Sequence, residues 1–390
     1  MSTDETPRWL NKEFLEKVLG EPPLFFEAKP LGNPNEFFTS SLHRVEVGMT
    51  SGKLVNLVVK KLIDREGDGK LFAESSMFRR EIHAYEVVLP KLAALLETAY
   101  PGSEPIVARY FYSSSGILVL EDLGASGFQT LDRLVGLDLD QSLEVMRTLA
   151  KFHGASVILY KKEPQCFQPY LDTLFAEEPV IKLQKSFVEG MTKLLIDEIR
   201  NWPGFGEKYS KKLQQLAPRM QQLVIDGARR QEGRFNVLTH DDLWINNMMF
   251  NSEGSVRFID FQMPHYASLG NDVLLFYSSS LTDEVRRKHF QTLLKEYHKV
   301  LCETLTRLGY EENLITLEEL HEECWKSSLY GFALNVIFLP GVFARADCEI
   351  PMFEVNGPAP KPDIYEGSRA RTVMAEILKE FEKHGVFTID

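Results

Sequence analysis

The second half of the chain contains three oxygen-bearing side chains at a spacing suited to chemistry on phosphates. Asp242 and Asn247 belong to the pattern H-x-D-x-x-x-x-N, and Asp260 follows in I-D-F-Q, 260 − 242 = 18 positions after Asp242. Phosphoryl transfer needs one carboxylate facing the acceptor hydroxyl and separate oxygen ligands that hold Mg²⁺ on the ATP phosphates. One aspartate in a turn usually only shapes that turn, but the two fragments in this order and spacing favour the chemical interpretation.

A β-hairpin is predicted to bring these three side chains together. The strand at 247–250 leads into a turn at 251–254, and the strand at 256–259 returns beside the first. Because the two strands are antiparallel, we expect Asp260 to lie back near Asn247.

A lysine that pairs with the phosphates is expected on a strand in the first half of the chain. The β-branched, apolar run at 54–62 contains Lys60 and Lys61. Successive strand side chains point to opposite faces, so only one of the two lysines enters a cleft. We predict that Lys60 is the lysine in the cleft. The alternative is that both lysines protect the exposed edge of an edge strand.

A glutamate that orients this lysine is expected on the next helix. Apolar residues recur at helical spacing between positions 77 and 89, and Glu81 lies beside the face that they form. Glu81 is therefore predicted to reach Lys60, with Glu74 and Glu86 as competing candidates. A glutamate on a helix is more often solvated than functional, so the lysine strand before it carries this assignment.

Two further segments are candidates for holding the nucleotide. The segment 32–41 lies between two predicted strands and lacks G-x-G-x-x-G. Its backbone amides and the hydroxyls of Ser40 and Ser41 are expected to cradle phosphate, with a plain polar hairpin as the alternative. A later hairpin leads into a predicted hinge, where Glu121 and Leu123 would present backbone groups to adenine.

The sequence resembles the ecdysteroid-kinase-like family, also called CHK kinase-like proteins, which is related to choline kinases and aminoglycoside phosphotransferases. The most specific matching segments are D-L-W-I-N-N, from Asp242 to Asn247, and I-D-F-Q at 259–262. Weaker matches follow in family order over most of the chain: V-K at 59–60, F-R-R-E at 78–81, L-E-D-L at 120–123 and L-A-K-F-H-G-A-S at 149–156.

The resemblance implies a fold class and a division into lobes. The fold would be α+β, with the two lobes of the protein-kinase-like fold. A small β-rich lobe that binds the nucleotide would span residues 1–122, and a larger, mainly helical lobe for catalysis and substrate binding would span residues 123–390. A length of 390 residues allows two such lobes.

The same resemblance implies a role for each candidate side chain. Asp242 would be the catalytic base, and Asn247 and Asp260 would hold Mg²⁺. Lys60 would pair with the ATP phosphates, and Glu81 would orient Lys60. These roles make ATP and Mg²⁺ the expected cofactors.

The residues around Asp242 contain one departure from the family pattern. Asp241 stands where the family usually carries glycine, and its carboxylate would raise the pKa of Asp242, bind metal or point outward. Asp272 is expected to tie down the catalytic loop. His240 and His153 are interpreted as packing residues near that loop rather than as general bases.

The segments after Asp260 bear on the acceptor. No long activation segment follows, which implies a small-molecule hydroxyl as acceptor and disfavours a protein kinase. The apolar segment at 329–340 is too short to span a bilayer and is expected to be a buried helix. It could line a pocket for a steroid-type or other hydrophobic alcohol, with core packing as the alternative. A choline-like acceptor would need a cage for its cation, for which Trp244 and Trp325 are candidates.

The composition is that of an ordinary globular chain with an acidic balance. The net charge is −12 and the pI is about 5.4, which disfavours non-specific binding to nucleic acid and attraction to anionic membranes. The four cysteines show no C-x-x-C spacing and no histidine-linked metal pattern, so reduced structural thiols are expected.

The N-terminal residues favour a cytoplasmic protein. Asp4 and Glu5 precede any apolar run, so no secretory signal is expected. An amphipathic helix is predicted to open at Pro7. Its apolar stripe consists of Trp9, Leu10, Phe14, Val18 and Leu19. Because the polar side is not rich in basic residues, docking on the small lobe is favoured over a membrane anchor.

The sequence therefore predicts an ATP- and Mg²⁺-dependent enzyme that phosphorylates a hydroxyl group of a small molecule. The alternative is a catalytically silent pseudokinase that binds a nucleotide or a lipid. The lysine and the carboxylate residues that catalysis would need, Lys60, Glu81, Asp242 and Asp260, are all present in the sequence, which favours the active enzyme.

Overall fold

A computed structural model describes residues 6–32, 40–62, 74–344, 364–365 and 368–388. The N-terminal part contains a five-stranded antiparallel sheet, and the remainder is mostly helical. This architecture confirms the predicted α+β class, with a small β-rich lobe followed by a larger helical lobe. The predicted division between residues 122 and 123 stays a prediction.

The N-terminal sheet has the strand order β1-β2-β3-β5-β4. The strands are β1 (Pro23–Pro30), β2 (Ser40–Met49), β3 (Leu54–Leu62), β4 (Tyr110–Ser114) and β5 (Ile117–Glu121). Alternation along β3 buries Leu57 and Val59 in a small core on one face of the sheet. The side chain of Lys60 therefore lies on the opposite face.

Helix α1 (Lys12–Leu19) covers that small core, as predicted. Leu10 and Leu15 are buried against the sheet. The helix begins later than the predicted start at Pro7, because the side chain of Asn11 accepts a hydrogen bond from the first turn and so caps the helix.

The helix predicted at 77–89 is present, but it is not uniform. Helix α2 (Met77–His83) passes through a π-helical turn at Ala84–Val88 into α3 (Leu89–Ala99). The π turn contains Tyr85, whose ring lies edge-on to Phe261 with 5.7 Å between the centroids. Such single π turns are rare, and apolar spacing does not predict them.

The larger lobe is built around one continuous core that also includes α2 and α3. Its helices are α4 (Leu139–Lys162), α5 (Glu178–Ile199), α6 (Gly206–Leu216), α7 (Met220–Gly227), α8 (Gly270–Ser279), α9 (Asp283–Lys288), α10 (Phe290–Arg307), α11 (Leu317–Lys326), α12 (Ser328–Val342) and α13 (Arg369–Lys383). Short 3-10 turns lie at Pro164–Tyr170, Leu174–Ala176, Ala217–Arg219 and Ile245–Asn247.

Two short strand pairs carry the segment that is predicted to be catalytic. The hairpin of β7 (Met248–Phe250) and β8 (Val256–Phe258) confirms the predicted hairpin. A second pair, β6 (Asn236–Thr239) with β9 (His265–Ser268), flanks it and was not predicted. The sequence between Asp242 and Asp260 therefore lies between the two strands of this second pair, with β6 before it and β9 after it.

Helix α12 is buried almost all round, as predicted for the apolar segment. Phe332, Val336, Leu339 and Phe343 are fully buried in the large core. Their packing supports the interpretation as core residues rather than as the lining of an acceptor pocket. No helix in the described part of the chain is long and apolar enough to cross a membrane.

The cysteines within the described ranges form no disulfide. Cys166 and Cys324 are buried and Cys302 is partly buried, each as a free thiol. Cys348 and the loop at 349–362 lie outside the described residues.

The C-terminal helix is held by a charged contact that predicts how stability depends on pH. Burial opposes the ionisation of Glu382 on α13, but hydrogen bonds from Lys208, Lys212 and Tyr209 outweigh it and lower its pKa from 4.5 to about 2. The native state therefore favours the ionised form. This stabilisation is present above about pH 4.5 and is lost as the pH falls towards 2.

Glu382→Gln should lower the free energy of unfolding at pH 7 by about 1 kcal/mol, because the contact is only partly buried. It should also flatten the loss of stability between about pH 4.5 and 2. Urea unfolding at a series of pH values measures both effects. Glu380→Gln on the same helix, paired with Lys383, is the control and should change stability less. An unchanged acid dependence in Glu382→Gln would contradict the assignment.

Candidate active site

The centre of the candidate site is the ammonium group of Lys60, at the end of β3. Its Nζ lies 2.7 to 2.8 Å from the two carboxylate oxygens of Glu81 on α2 and 2.7 Å from Oδ1 of Asp260. The Lys60 side chain is 9% exposed, and that of Glu81 is 2% exposed. A strand, a helix and the segment after the β7–β8 hairpin therefore meet at one buried charge.

The three charges perturb one another strongly. Burial opposes the charge on Lys60, but Asp260 and Glu81 outweigh it and raise the pKa of the lysine. Burial likewise opposes ionisation of Asp260, yet Lys60 outweighs it and lowers the pKa of that carboxyl group. For Glu81 burial prevails and raises the pKa, despite Lys60. One ammonium group thus faces two carboxyl groups, and a further cation at this place would be favoured.

Asp242 and Asn247 contact each other in the catalytic loop. The amide nitrogen of Asn247 donates to both the backbone oxygen and Oδ2 of Asp242, each at 2.8 Å. Among the described residues, no group donates a hydrogen bond to Oδ1 of Asp242 or to Oδ1 of Asn247. Both of these oxygens are therefore available to a ligand. Burial, and then the charge of Asp260, raise the pKa of Asp242 well above its ordinary value.

The hairpin places Asn247 and Asp260 at the same end, as the sequence analysis expected. Met248 pairs with Phe258, and the backbone N–H of Ile259 donates to the backbone oxygen of Asn247 at 3.1 Å. An amide oxygen and a carboxylate are ligands that Mg²⁺ accepts, usually together with substrate phosphates and waters. Within the described residues, no group of three or more His, Cys, Asp or Glu side chains forms a metal cluster. The donor set thus fits a cation shared with phosphates.

Asp272, at the start of α8, holds the catalytic loop. Its two carboxylate oxygens accept the backbone N–H groups of His240 and Asp241, each at 2.7 Å. Nε2 of His153 on α4 lies 3.0 Å from the same carboxylate. This geometry is the one expected of a residue that ties down the loop, and it places His153 as a packing residue.

His240 is oriented away from acceptor chemistry. Its Nε2 lies 2.9 Å from the carbonyl oxygen of Ile259, so this nitrogen carries the proton and donates it. The ring packs against Phe261 with 4.5 Å between centroids, and the residue is fully buried. The structure therefore agrees with the interpretation of His240 as a packing residue.

The serines predicted to bind the phosphates of the nucleotide do not lie in the kind of segment that the sequence predicted. Ser40 and Ser41 are the first residues of β2, paired with Leu62 and Lys61, and not part of a loop. The loop at 33–39 lies outside the described residues. Ser40 is 2% exposed, because it already belongs to the sheet. Its role as a phosphate ligand stays a prediction.

The predicted hinge follows β5. The side chain of Glu121 is bound to Arg257, while the backbone N–H of Asp122 donates to Asn56 at 3.1 Å. The backbone N–H of Leu123 has no hydrogen-bond partner among the described residues. Backbone groups of both Glu121 and Leu123 were predicted to face adenine; the N–H group of Glu121 donates to the backbone oxygen of Arg109 at 2.8 Å, whereas that of Leu123 is free for this role.

A cavity of about 230 Å³ opens beside this hinge. It is lined by Glu27, Lys29, Arg44, Glu46, Asn56, Asp122, Gly124 and Ala125. The Arg44 guanidinium forms an ion pair with Asp122 and lies against Gly124, where a Cβ atom would be 2.4 Å from its nitrogen. Glycine is therefore needed at position 124 for this close approach.

Arg80 on α2 is a positioning residue that the sequence analysis missed. It is 5% exposed and donates to the hydroxyl of Ser76 and to the backbone oxygens of Pro264 and Asp172. It thus fastens the helix that carries Glu81 to the larger lobe. Arg80 belongs to the F-R-R-E match at 78–81, but its anchoring role could not be predicted because its partners are distant in sequence.

The structure does not bring together the two tryptophans considered for a cation cage. Trp325 stacks on His384 with 3.5 Å between the ring centroids and packs edge-on against Phe381. Trp325 is therefore part of the contact between α11 and α13. Trp244 lies in the catalytic loop, partly buried against the core.

This fold, in which a lysine of the N-terminal sheet lies between the carboxyl groups of Glu81 and Asp260, is that of the kinase-like proteins. The comparison with protein families is more specific. The model of the Ecdysteroid kinase-like family matches residues 34–310, well over half of the chain. The chain therefore belongs to the ecdysteroid kinase-like family, as the sequence motifs predicted. No curated protein matches the sequence.

Solved structures similar to this chain include a choline kinase and antibiotic phosphotransferases. Choline kinase LicA from Streptococcus pneumoniae is 15% identical, with a TM-score of 0.44, over 95% of this chain and 97% of that chain. The gentamicin complex of APH(2″)-IIa is 12% identical, with a TM-score of 0.42, over 98% and 99%. Spectinomycin phosphotransferase APH(9)-Ia, in complex with ADP and spectinomycin, is 13% identical, with a TM-score of 0.42, over 93% and 97%.

Arg80→Met should lower the free energy of unfolding by about 3 kcal/mol, because it removes the donor to the buried backbone oxygen of Pro264 and to the partly buried backbone oxygen of Asp172. Arg79→Met makes the same chemical change at the adjacent, exposed position and should alter stability by less than about 0.5 kcal/mol. Urea unfolding of the two variants measures the difference. Equal losses in both would show that Arg80 does not anchor α2.

Proposed function

We propose that this protein is an ATP- and Mg²⁺-dependent kinase that phosphorylates a hydroxyl group of a small molecule. The observation that carries the proposal is the buried contact of Lys60 with Glu81 and Asp260, within electrostatic reach of Asp242. Phosphoryl transfer depends on positioning and on charge neutralisation, and these groups supply both.

Each side chain has one task in this proposal. Lys60 binds phosphate oxygens of ATP through an ammonium group that Glu81 keeps in place. Asn247 and Asp260 hold Mg²⁺, which neutralises charge on the phosphates when bound. Oδ1 of Asp242 accepts a hydrogen bond from the hydroxyl group of the small-molecule substrate. This contact orients the hydroxyl group for in-line attack, and Asp242 takes its proton.

The raised pKa of Asp242 suits this task. A carboxylate whose proton affinity is increased by burial and by Asp260 is a better proton acceptor than an exposed aspartate. The hydrogen bond from Asn247 opposes that increase and at the same time fixes which carboxylate oxygen remains free.

A boundary between the two lobes near residues 122 and 123 would place the base of the nucleotide beside the backbone N–H group of Leu123.

For the acceptor, we propose a steroid-type or other hydrophobic alcohol. Membership of the ecdysteroid kinase-like family supports this class. The buried packing of Trp325 removes one of the two aromatic rings considered for a quaternary ammonium group. A choline-like acceptor is therefore the less favoured candidate.

Asp242→Asn should lower kcat by about 10²- to 10⁴-fold, because the amide cannot take the hydroxyl proton. The nucleotide affinity should change little, since Lys60 and Asp260 remain. Turnover is measured with γ-labelled ATP, Mg²⁺ and a panel of steroid alcohols, choline and aminoglycosides, and nucleotide binding by calorimetry. Asp226→Asn, at an exposed position on α7, is the matched control and should keep full activity.

Retained turnover in folded Asp242→Asn would refute the assignment of the base. Nucleotide binding that needs no metal, together with no product from any acceptor, would favour the silent pseudokinase instead. Labelling of a generic protein would revive the protein-kinase alternative.

A further inference from the structure

Asp241 has a backbone conformation that aspartate rarely adopts. Its φ is 56°, in the left-handed region, where only glycine is free of a steric penalty. The chain bends there, between the end of β6 and Asp242. A residue other than glycine persists at such a place when its surroundings hold it there.

The Asp241 carboxylate is held by three buried donors and does not face the cleft. Oδ2 accepts the hydroxyl of Thr239 at 2.8 Å and lies 2.7 Å from Nδ1 of His265, and Oδ1 accepts the hydroxyl of Tyr330 at 3.1 Å. All four residues are no more than 2% exposed. Of the possibilities that the sequence left open for Asp241, neither metal binding nor an outward orientation is compatible with these contacts.

The protonation state of His265 follows from the hydrogen bond that its second ring nitrogen, Nε2, accepts. The backbone N–H of Leu174 donates to Nε2 at 3.3 Å, so Nε2 is an acceptor and Nδ1 carries the proton. Burial lowers the pKa of His265, although Asp241 opposes this, which agrees with a neutral ring. His265 therefore donates to Asp241 and links it to the turn before α5.

Tyr330 fixes the other carboxylate oxygen to helix α12. Its ring is closely packed, because a Cβ atom on Gly227 of α7 would lie 2.4 Å from Tyr330 Cβ. This contact and the 2% exposure of Tyr330 restrict the position of its ring. The position of Asp241 is thus coupled to α12 across 89 residues of sequence.

We propose that Asp241 is a positioning residue, whose buried carboxylate locks the left-handed turn and so couples the placement of Asp242 to helix α12 through Tyr330. This inference rests on the proposed function for the role of Asp242. Asp272 holds the backbone of the same turn through the N–H groups of His240 and Asp241. The carboxylate of Asp241 supplies what the backbone contacts alone do not, an attachment to β9 and α12.

Two substitutions at position 241 separate positioning from folding. In Asp241→Asn, the amide oxygen can accept from Thr239 and His265, while the amide nitrogen donates to the Tyr330 hydroxyl. In Asp241→Gly, the left-handed turn is free of strain, but all three contacts are lost. We expect kcat within about threefold of wild type for Asp241→Asn and lower by about tenfold for Asp241→Gly, with KM for ATP changed by less than about twofold in both.

A matched tyrosine pair tests the link to α12. Tyr330→Phe removes the hydroxyl that donates to buried Asp241. Tyr209→Phe removes the hydroxyl of an equally buried tyrosine, which donates to the partly buried Glu382, away from the catalytic loop. We expect about a tenfold loss of kcat in Tyr330→Phe and no loss in Tyr209→Phe. Unchanged kcat in both Asp241→Gly and Tyr330→Phe would overturn the proposal.

Hydrogen–deuterium exchange supplies a readout that needs no turnover. Peptides covering 239–247 should exchange faster in Asp241→Gly and Tyr330→Phe than in wild type and Tyr209→Phe. Wild-type protein without kinase activity would refute the proposed function alone. Equal exchange in the two tyrosine variants would refute the anchoring of the turn, whether or not the protein is active.

Discussion

The structure depends on one buried ammonium group, that of Lys60, which is shared by carboxyl groups from two parts of the chain. Glu81 comes from the helix that follows the strand of Lys60, whereas Asp260 lies 200 residues after Lys60 in the sequence. Removal of one partner from a buried ion pair typically costs about 3–5 kcal/mol, because the remaining charge is left uncompensated. The sheet, helix α2 and the β7–β8 hairpin are therefore constrained to meet at this point.

Helix α2 belongs structurally to the larger lobe, although it precedes the hinge in sequence. Its apolar residues join the large core, and Arg80 binds backbone oxygens of that lobe. Glu81 is consequently fixed relative to Asp260, and Lys60 on the sheet meets a preformed pair of carboxyl groups. A nucleotide would enter a site whose charges are already arranged, which limits the free energy spent on ordering side chains.

The predicted catalytic loop is restrained in a similar way, by two sets of contacts. Asp272 binds the backbone of His240 and Asp241, and the Asp241 side chain binds β6, β9 and α12. Such buried polar networks are stable only when each member is satisfied, as the donors around Asp241 are. The loop between them then has little freedom, so Asp242 and Asn247 keep their relative geometry.

The sequence by itself determined the family and the fold class, through the resemblance of its motifs to a known family. It also determined the β7–β8 hairpin and the face of β3 on which Lys60 lies, because these follow from local spacing and strand alternation. It did not determine the direction of the Asp241 carboxylate, the anchoring by Arg80 or the contact with Tyr330. Arg80 reaches residue 264, and Tyr330 lies 89 residues from Asp241. Only the packing of distant helices and strands decides such contacts, since no local pattern specifies which buried donor meets which acceptor.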